Sequence, residues 1–275
     1  MSAKCCACIF WALYGFSVVG QNPSASAPKK LDLAGTVERA KTSIVRLRIE
    51  GSEGGWGTGF LINREGVVVT AHHVIVHAVG ITVEIEIPST TELFTSTAQV
   101  IGQDPDHDIA VLKLARNPFT TIENLTTVTM NGGPRKEGEA IFVPGYAFGS
   151  SSPITTFGNI STIENPKFPD MSVGWDAFLA DLKNFQGQSG GPVFLSTTGE
   201  LIGMLHGGMS DATFARKDHA PVALDPGNVV SYGIGIAEIV RATYVITVLL
   251  KLKPVPPYRN SQGVSPKRLT SPHPK

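Results

Sequence analysis

Short apolar runs, each closed by glycine, proline or an Asn/Asp-rich turn, recur along this chain, and they restrict it to folds made of short strands. SIVRLRIE at residues 43–50 alternates apolar and polar, the period of a half-buried strand. FLIN at 60–63 and VVVT at 67–70 flank Arg64, Glu65 and Gly66, a hairpin signal. ITVEIEI at 81–87 alternates cleanly, part of 94–101 does so, and IAVLKL at 109–114 adds a further strand. The glycine-rich residues 51–59 read as a turn-rich connection, and residues 33–42 as a short helix or turn. About six short strands at close spacing imply a small antiparallel barrel or sandwich. The second half repeats the pattern at 139–146, 155–163, 175–179, 193–195, 201–205 and 232–237. Residues 209–228, polar with two prolines, read as a loop. Residues 238–252 carry Ile239, Val240, Tyr244, Val245, Val248 and Leu249 at helical spacing, and Glu238 and Arg241 argue against a membrane span there.

The 29 glycines and 19 prolines in 275 residues agree with that reading, and the length suffices for one domain or two packed halves. Net charge is +0, which gives no footprint for nucleic acid and no electrostatic membrane binding. All three cysteines, Cys5, Cys6 and Cys8, crowd at the N-terminus, so the body has neither a disulfide nor a cysteine metal site. Lys4 precedes an apolar run at 5–20, and a polar stretch with Ala25-Ser26-Ala27 follows. This is the layout of a secretory signal peptide, with a retained N-terminal anchor as the competing reading. Pro28 is awkward for cleavage after Ala27, and a cut after Gly20 is the competing site. No complete lipidation motif is present. Residues 1–30 are therefore set apart as signal or anchor with linker, and the basic, Pro-rich residues 253–275 as a disordered tail.

Chemistry concentrates in FQGQSGGP at 185–192. A serine that attacks a carbonyl needs an exposed hydroxyl on a sharp turn, with backbone amides aimed at one spot. Glycine permits both the dihedrals and the close approach. The Gly187 and Ser189 amides are placed to receive an oxyanion. Alone, the stretch is equally well a glycine-rich hairpin with an incidental serine. Two strand ends upstream supply partners. Thr70-Ala71-His72-His73-Val74 puts histidines directly after an apolar strand, and Asp104-Pro105-Asp106-His107-Asp108 leads into IAVLKL. Each has an ordinary explanation as a surface histidine or a turn-forming aspartate. His73 and His77, one turn apart on a helix, are a weak metal pair, since no third ligand stands at the usual spacing. Taken together, His73, Asp108 and Ser189 are a base, an orienting acid and a nucleophile. Their order, His then Asp then Ser, belongs to the double-barrel proteases. The α/β-hydrolase order is absent, which argues against a serine esterase of that fold.

The stretches SIVRLRI, GTGFLI, VVVTAHHV, DPDHDIAVLKL, EGEAIFVPGYAFG, TTFGNIS, FQGQSGGPVF, GELIGM and YGIGIA, in this order, resemble the trypsin-like (chymotrypsin-fold) serine proteases, and above all the HtrA/Deg-type protease domain. The resemblance covers most of residues 36–240. It implies two packed six-stranded antiparallel β-barrels with a C-terminal helix, within a protease domain at 31–252. The barrels fall at about 36–117 and 126–240. It implies a serine endopeptidase acting on polypeptides, with no cofactor and no metal. His73 is the base (not His72), Asp108 the acid (Asp104 and Asp106 being turn residues), Ser189 the nucleophile, and Gly187 with Ser189 the oxyanion hole. A catalytically silent peptide-binding module is the alternative. With only a helix and a short tail read after the second barrel, no PDZ-type domain is expected there. Lys183, six residues before Ser189, stands where trypsin-type enzymes place an acidic pocket base. His206 stands one residue from the pocket histidine of glutamate-specific relatives, and a one-residue shift on a strand reverses the face. The two together hint at acidic substrates.

Overall fold

Alternation in residues 43–50 becomes the first strand of a closed barrel. The computed structural model describes residues 32–51, 54–87, 92–164, 177–210 and 233–252. A short helix, α1 (Leu33–Lys41), opens it, capped by Asp32, whose carboxylate accepts from the Gly35 amide at 2.9 Å. Six strands follow: β1 (Ile44–Glu50), β2 (Gly55–Leu61), β3 (Val67–Ala71), β4 (Gly80–Glu86), β5 (Leu93–Asp104) and β6 (Ile109–Leu114). They close in the order β1-β2-β3-β6-β5-β4, every pair antiparallel. A second barrel uses β7 (Ala140–Gly145), β8 (Ile154–Thr162), β9 (Ala177–Asp181), β10 (Pro192–Leu195), β11 (Leu201–Ser210) and β12 (Gly233–Arg241). It closes as β10-β11-β12-β9-β8-β7. Both closures match the fold that the sequence implied.

The side-chain alternation of each strand divides the core into three parts. Val68, Ala110, Leu112 and Leu114 point into the first barrel with Val45, Leu47, Val83 and Phe94. Ile141, Val143, Phe178, Val193, Leu205 and Ile239 fill the second. Val67, Val69, Ala71, Ile109 and Val111 point the other way and meet Phe142, Phe194, Met204 and Val240 between the barrels. VVVTA is a continuous apolar run, not an alternating one, because both faces of β3 are buried.

Three differences from the sequence reading bear on function. Residues 55–59 are strand, not connection: β2 pairs with β1 from Ile49↔Gly55 to Ile44↔Phe60. The C-terminal helix, α3, is Ala242–Lys251, so residues 238–241 belong to β12. There Glu238, Ile239 and Val240 pair with Leu179, Phe178 and Ala177 of β9, and the ladder overrides the helical spacing. A one-turn helix, α2 (His72–Ile75), follows β3, and His77 lies beyond it. His77 joins no cluster of potential metal ligands with His73 among the described residues. Residues 1–31, 165–176, 211–232 and 253–275 lie outside the described residues, and with them the signal-or-anchor segment, most of the expected 209–228 loop and the tail. No helix among the described residues is long and apolar enough to cross a membrane.

Candidate active site

Antiparallel pairing of β3 with β6 ends at Ala71↔Ile109, so His72, His73 and Asp108 emerge side by side from the same end of the first barrel. A 3-10 turn at Pro105–His107 delivers Asp108 in the left-handed region, with φ 54° and ψ 41°. Aspartate tolerates that region better than most residues. The Asp108 carbonyl accepts from the His72 amide at 3.0 Å. Its Oδ1 accepts from the His73 amide at 2.8 Å, and its Oδ2 lies 2.8 Å from His73 Nδ1. The ring nitrogen is the donor, because an ionised carboxylate can only accept. Asp104 pairs instead with His107 at 2.8 Å, and the His107 ring stacks on Tyr244 of α3.

A third donor reaches the same carboxylate. His206 Nδ1 lies 2.6 Å from Asp108 Oδ2. The His206 ring stands edge-on to that of His73, with centroids 5.2 Å apart, and its Nε2 is 3.8 Å from Glu238. The strand register explains how His206 gets there. Leu205 pairs with Ile239 and Gly207 with Glu238, so His206 is the extra residue of a β-bulge in β11. A bulge bends the strand locally and re-aims a side chain. Burial by itself pushes the Asp108 carboxyl up. The hydrogen bonds from His206 and His73, with their charge, reverse this and hold it well below the usual carboxylate range. Burial pulls the His206 imidazolium down, but its bond to Asp108 and the charges of Asp108 and Glu238 outweigh that and raise it. Burial raises Glu238, against the opposing charge of His206.

The Ser189 turn comes from the second barrel and is fixed by hydrogen bonds on every side. Gln188, fully buried, accepts from the Phe185 amide through Oε1 at 2.9 Å and donates to the Ile154 carbonyl at 3.2 Å. The Phe148 amide donates to the Gln186 carbonyl at 2.6 Å. The C=O and N–H of a trans peptide point in opposite directions, so this bond also fixes where the Gly187 N–H aims. Gly187 has φ +91°, and a Cβ there would sit 2.5 Å from the Tyr146 carbonyl. At Gly190, with φ +80°, a Cβ would sit 2.3 Å from the Thr58 carbonyl and 2.7 Å from the Ala71 amide. Neither position can hold a side chain without moving backbone. Among the described residues, the amides of Gly187 and Ser189 donate to no protein acceptor. Two uncommitted N–H groups in one turn are available to an external acceptor such as an anionic oxygen.

Thr58 of β2 ties this turn to the first barrel. Its amide donates to the Ser189 carbonyl at 3.0 Å. Its hydroxyl donates to the Gly187 carbonyl at 2.7 Å and accepts from the Tyr146 amide at 3.0 Å, while Thr70 donates to the Thr58 carbonyl at 2.7 Å. Thr58 does not stand out along the sequence, because the glycines of residues 51–59 have the look of a connection and not of a strand. The available signal was a lone hydroxyl residue between glycines, just before an apolar run.

The structure thus joins His73, Asp108 and His206 directly. It packs Gly190, next to Ser189, against Thr58, Thr70 and Ala71. The Ser189 side chain is half-buried, and no hydrogen bond links its hydroxyl to the His73 ring among the described residues. Lys183 is exposed and makes no ion pair among them.

Comparison with known proteins points the same way. The trypsin-like peptidase domain family matches residues 57–204. A probable periplasmic serine endoprotease, DegP-like, of Pseudomonas fulva is 31% identical over 149 residues, 54% of this chain and 28% of that protein. Protease Do-like 5, chloroplastic, of Arabidopsis thaliana is 27% identical over 77% of this chain and 64% of its own length. Both relatives are therefore matched over less than two thirds of their length. Among solved structures, the HtrA-type protease AlgW with tripeptide superposes with TM-score 0.61 at 23% identity, over 79% of this chain and 62% of that one. The active form of the Rv3671c protease from M. tuberculosis superposes with TM-score 0.60 at 23% identity, over 90% of this chain and 97% of that one.

Proposed function

This chain belongs to the trypsin-like peptidase family, and on that premise we propose that it is a serine endopeptidase working through His73, Asp108 and Ser189. His73 takes the Ser189 proton as Oγ bonds to the substrate carbonyl carbon, and the carbonyl oxygen becomes an anion held by the Gly187 and Ser189 amides. The C–N bond then breaks, the proton passes from His73 to the leaving amine, and an acyl-enzyme remains. Water, deprotonated by His73, attacks that ester; the bond from the acyl carbon to Ser189 Oγ then breaks, His73 returns the proton to Oγ, and the acid product leaves. Asp108 holds the His73 tautomer and stabilises the imidazolium. The observation that carries this reading is the His73–Asp108 pair, at 2.8 Å twice over, at the end of β3 and β6. The two open amides of the Ser189 turn support it. The periplasmic relative favours export of this chain, with residues 1–30 as the signal or anchor.

A second reading, a peptide-binding module that does not cut, is favoured by the missing hydrogen bond between Ser189 and His73. Such bonds are often long in unliganded enzymes and tighten with substrate, so the endopeptidase reading stands first. A fluorophosphonate probe decides between them. The intact protein is expected to form an adduct at Ser189, and S189A to form none and lose turnover by about a millionfold. Tight peptide binding with no adduct across pH 5–9 would leave only the binding module.

A further inference from the structure

We infer that His206 is a positioning residue for the Asp108 carboxylate, a second imidazole that acts on the reaction through Asp108 and His73. The inference rests on the serine endopeptidase reading for its kinetic consequence, but its geometry stands apart from it. Asp108 is almost fully buried, and a buried carboxylate must have its lone pairs filled. Oδ1 receives the His73 amide, and Oδ2 receives two ring nitrogens, from His73 at 2.8 Å and His206 at 2.6 Å. Without His206, Oδ2 keeps one donor and the carboxylate can rotate or take up a proton. With it, the carboxylate is clamped between α2 and β11, one element from each barrel.

The bulge at His206 is the device that makes the clamp possible. In a regular ladder, Leu205 and Gly207 would flank a residue paired opposite β12. Here that residue is extruded and its ring reaches across to the first barrel. Glu238 stands behind it on β12, its carboxylate 3.8 Å from His206 Nε2. The titratable groups that face His206 among the described residues are therefore Asp108, His73 and Glu238.

Charge adds a second consequence. A cationic His206 offsets part of the Asp108 charge felt at His73. With His206 neutral or removed, that offset is lost and the catalytic pair carries the uncompensated carboxylate charge. The working range of the enzyme then begins at higher pH.

Two replacements separate the donor from the charge. Asn at this position places its amide nitrogen where the His206 Nδ1 now sits, keeping the donor without the charge, and Ala removes both. The readout is the rate of fluorophosphonate labelling of the full chain from pH 5 to 9. H206A is expected to label about tenfold more slowly or worse. H206N is expected to recover to within about threefold, with the acid limb of its profile moved up by about half a pH unit or more. Wild-type rates and an unmoved limb in H206A would overturn the inference, as would an H206N as slow as H206A. An H206N with recovered rate and unmoved limb overturns the charge part alone. If H206A does not fold, H206N decides: a slow rate overturns the donor role, and an unmoved limb the charge. A proton NMR arm needs no activity. Low-field ring N–H signals from two histidines are expected in wild type, with one lost and the His73 signal shifted in H206A. A His73 signal unchanged in H206A overturns the clamp. Failure of the wild-type protein to label, with the NMR pattern intact, would count against the endopeptidase reading and not against the clamp.

Discussion

The Asp108 carboxylate meets three N–H donors, and the chain spends unusual backbone to present it. Asp108 sits in the left-handed region at the end of a 3-10 turn, so that the carbonyl holds His72 and the carboxylate holds both the amide and the ring of His73. An amide at this position would offer an N–H where only acceptors are wanted, forcing one imidazole out of its tautomer. D108N is therefore expected to fold and to lose about ten-thousandfold in kcat, checked by turnover alongside circular dichroism. The residues of this pair were legible in the sequence because they follow and precede two strongly apolar strands, β3 and β6. The third donor was not legible in that role. His206 stood out by type, but its direction depends on a bulge that no local pattern announces.

Among the elements, β2 carries more than its glycine-rich composition suggests. Its glycines let neighbouring groups approach: a Cβ at Gly59 would sit 2.7 Å from Val68, and one at Gly57 would sit 2.4 Å from Val74. Between them, Thr58 is fully buried and makes its hydroxyl bonds with backbone of the second barrel. Thr58→Val keeps the shape but strands the Gly187 carbonyl and the Tyr146 amide without their partner. We expect a loss of about 1–3 kcal/mol of stability in chemical denaturation, and slower labelling of Ser189 at temperatures where the protein is still folded. Thr58→Ser should restore both. The boundary between β12 and α3 shows the opposite kind of misreading. Ile239 and Val240 fit a helical stripe as well as a strand, and only the partners in β9 and β11 decide.

In the whole molecule, the two barrels share a core, and the site lies where they meet. Phe142, fully buried, packs on Phe194 with centroids 5.2 Å apart, in the same cluster as Val69, Ile109 and Val245 of α3. Phe142→Ala is expected to lower stability by about 3–5 kcal/mol, measured as a shift in denaturation midpoint. The Asp108–His206 contact also crosses from one barrel to the other and gives stability a pH signature. His206, with its folded pKa raised, contributes stability that is full below about pH 6.5 and is lost as pH rises through the folded value. Asp108, with its folded pKa depressed, contributes stability present above about pH 3.9 and lost as pH falls toward the folded value. Glu238, raised by burial, costs stability as pH rises from about 4.3. The Tm difference between wild type and H206N should therefore be widest near pH 5–6 and narrow toward both pH 3 and pH 9.

Strand periodicity and turn residues were enough to indicate two sets of about six short strands, and the His-Asp-Ser order together with the resemblance to trypsin-like proteases turned these into two barrels and singled out His73, Asp108, Gly187 and Ser189 as candidates. Each of these signals is local, repeated every few residues, and survives being read along a line. Thr58 as the clamp on the Ser189 turn, residues 238–241 as strand, and His206 on Asp108 depend on what lies across the barrel or across the gap between barrels. A hydrogen bond such as His206–Asp108, 98 residues apart in sequence, is fixed by register and by one extruded residue. Only the folded chain supplies those.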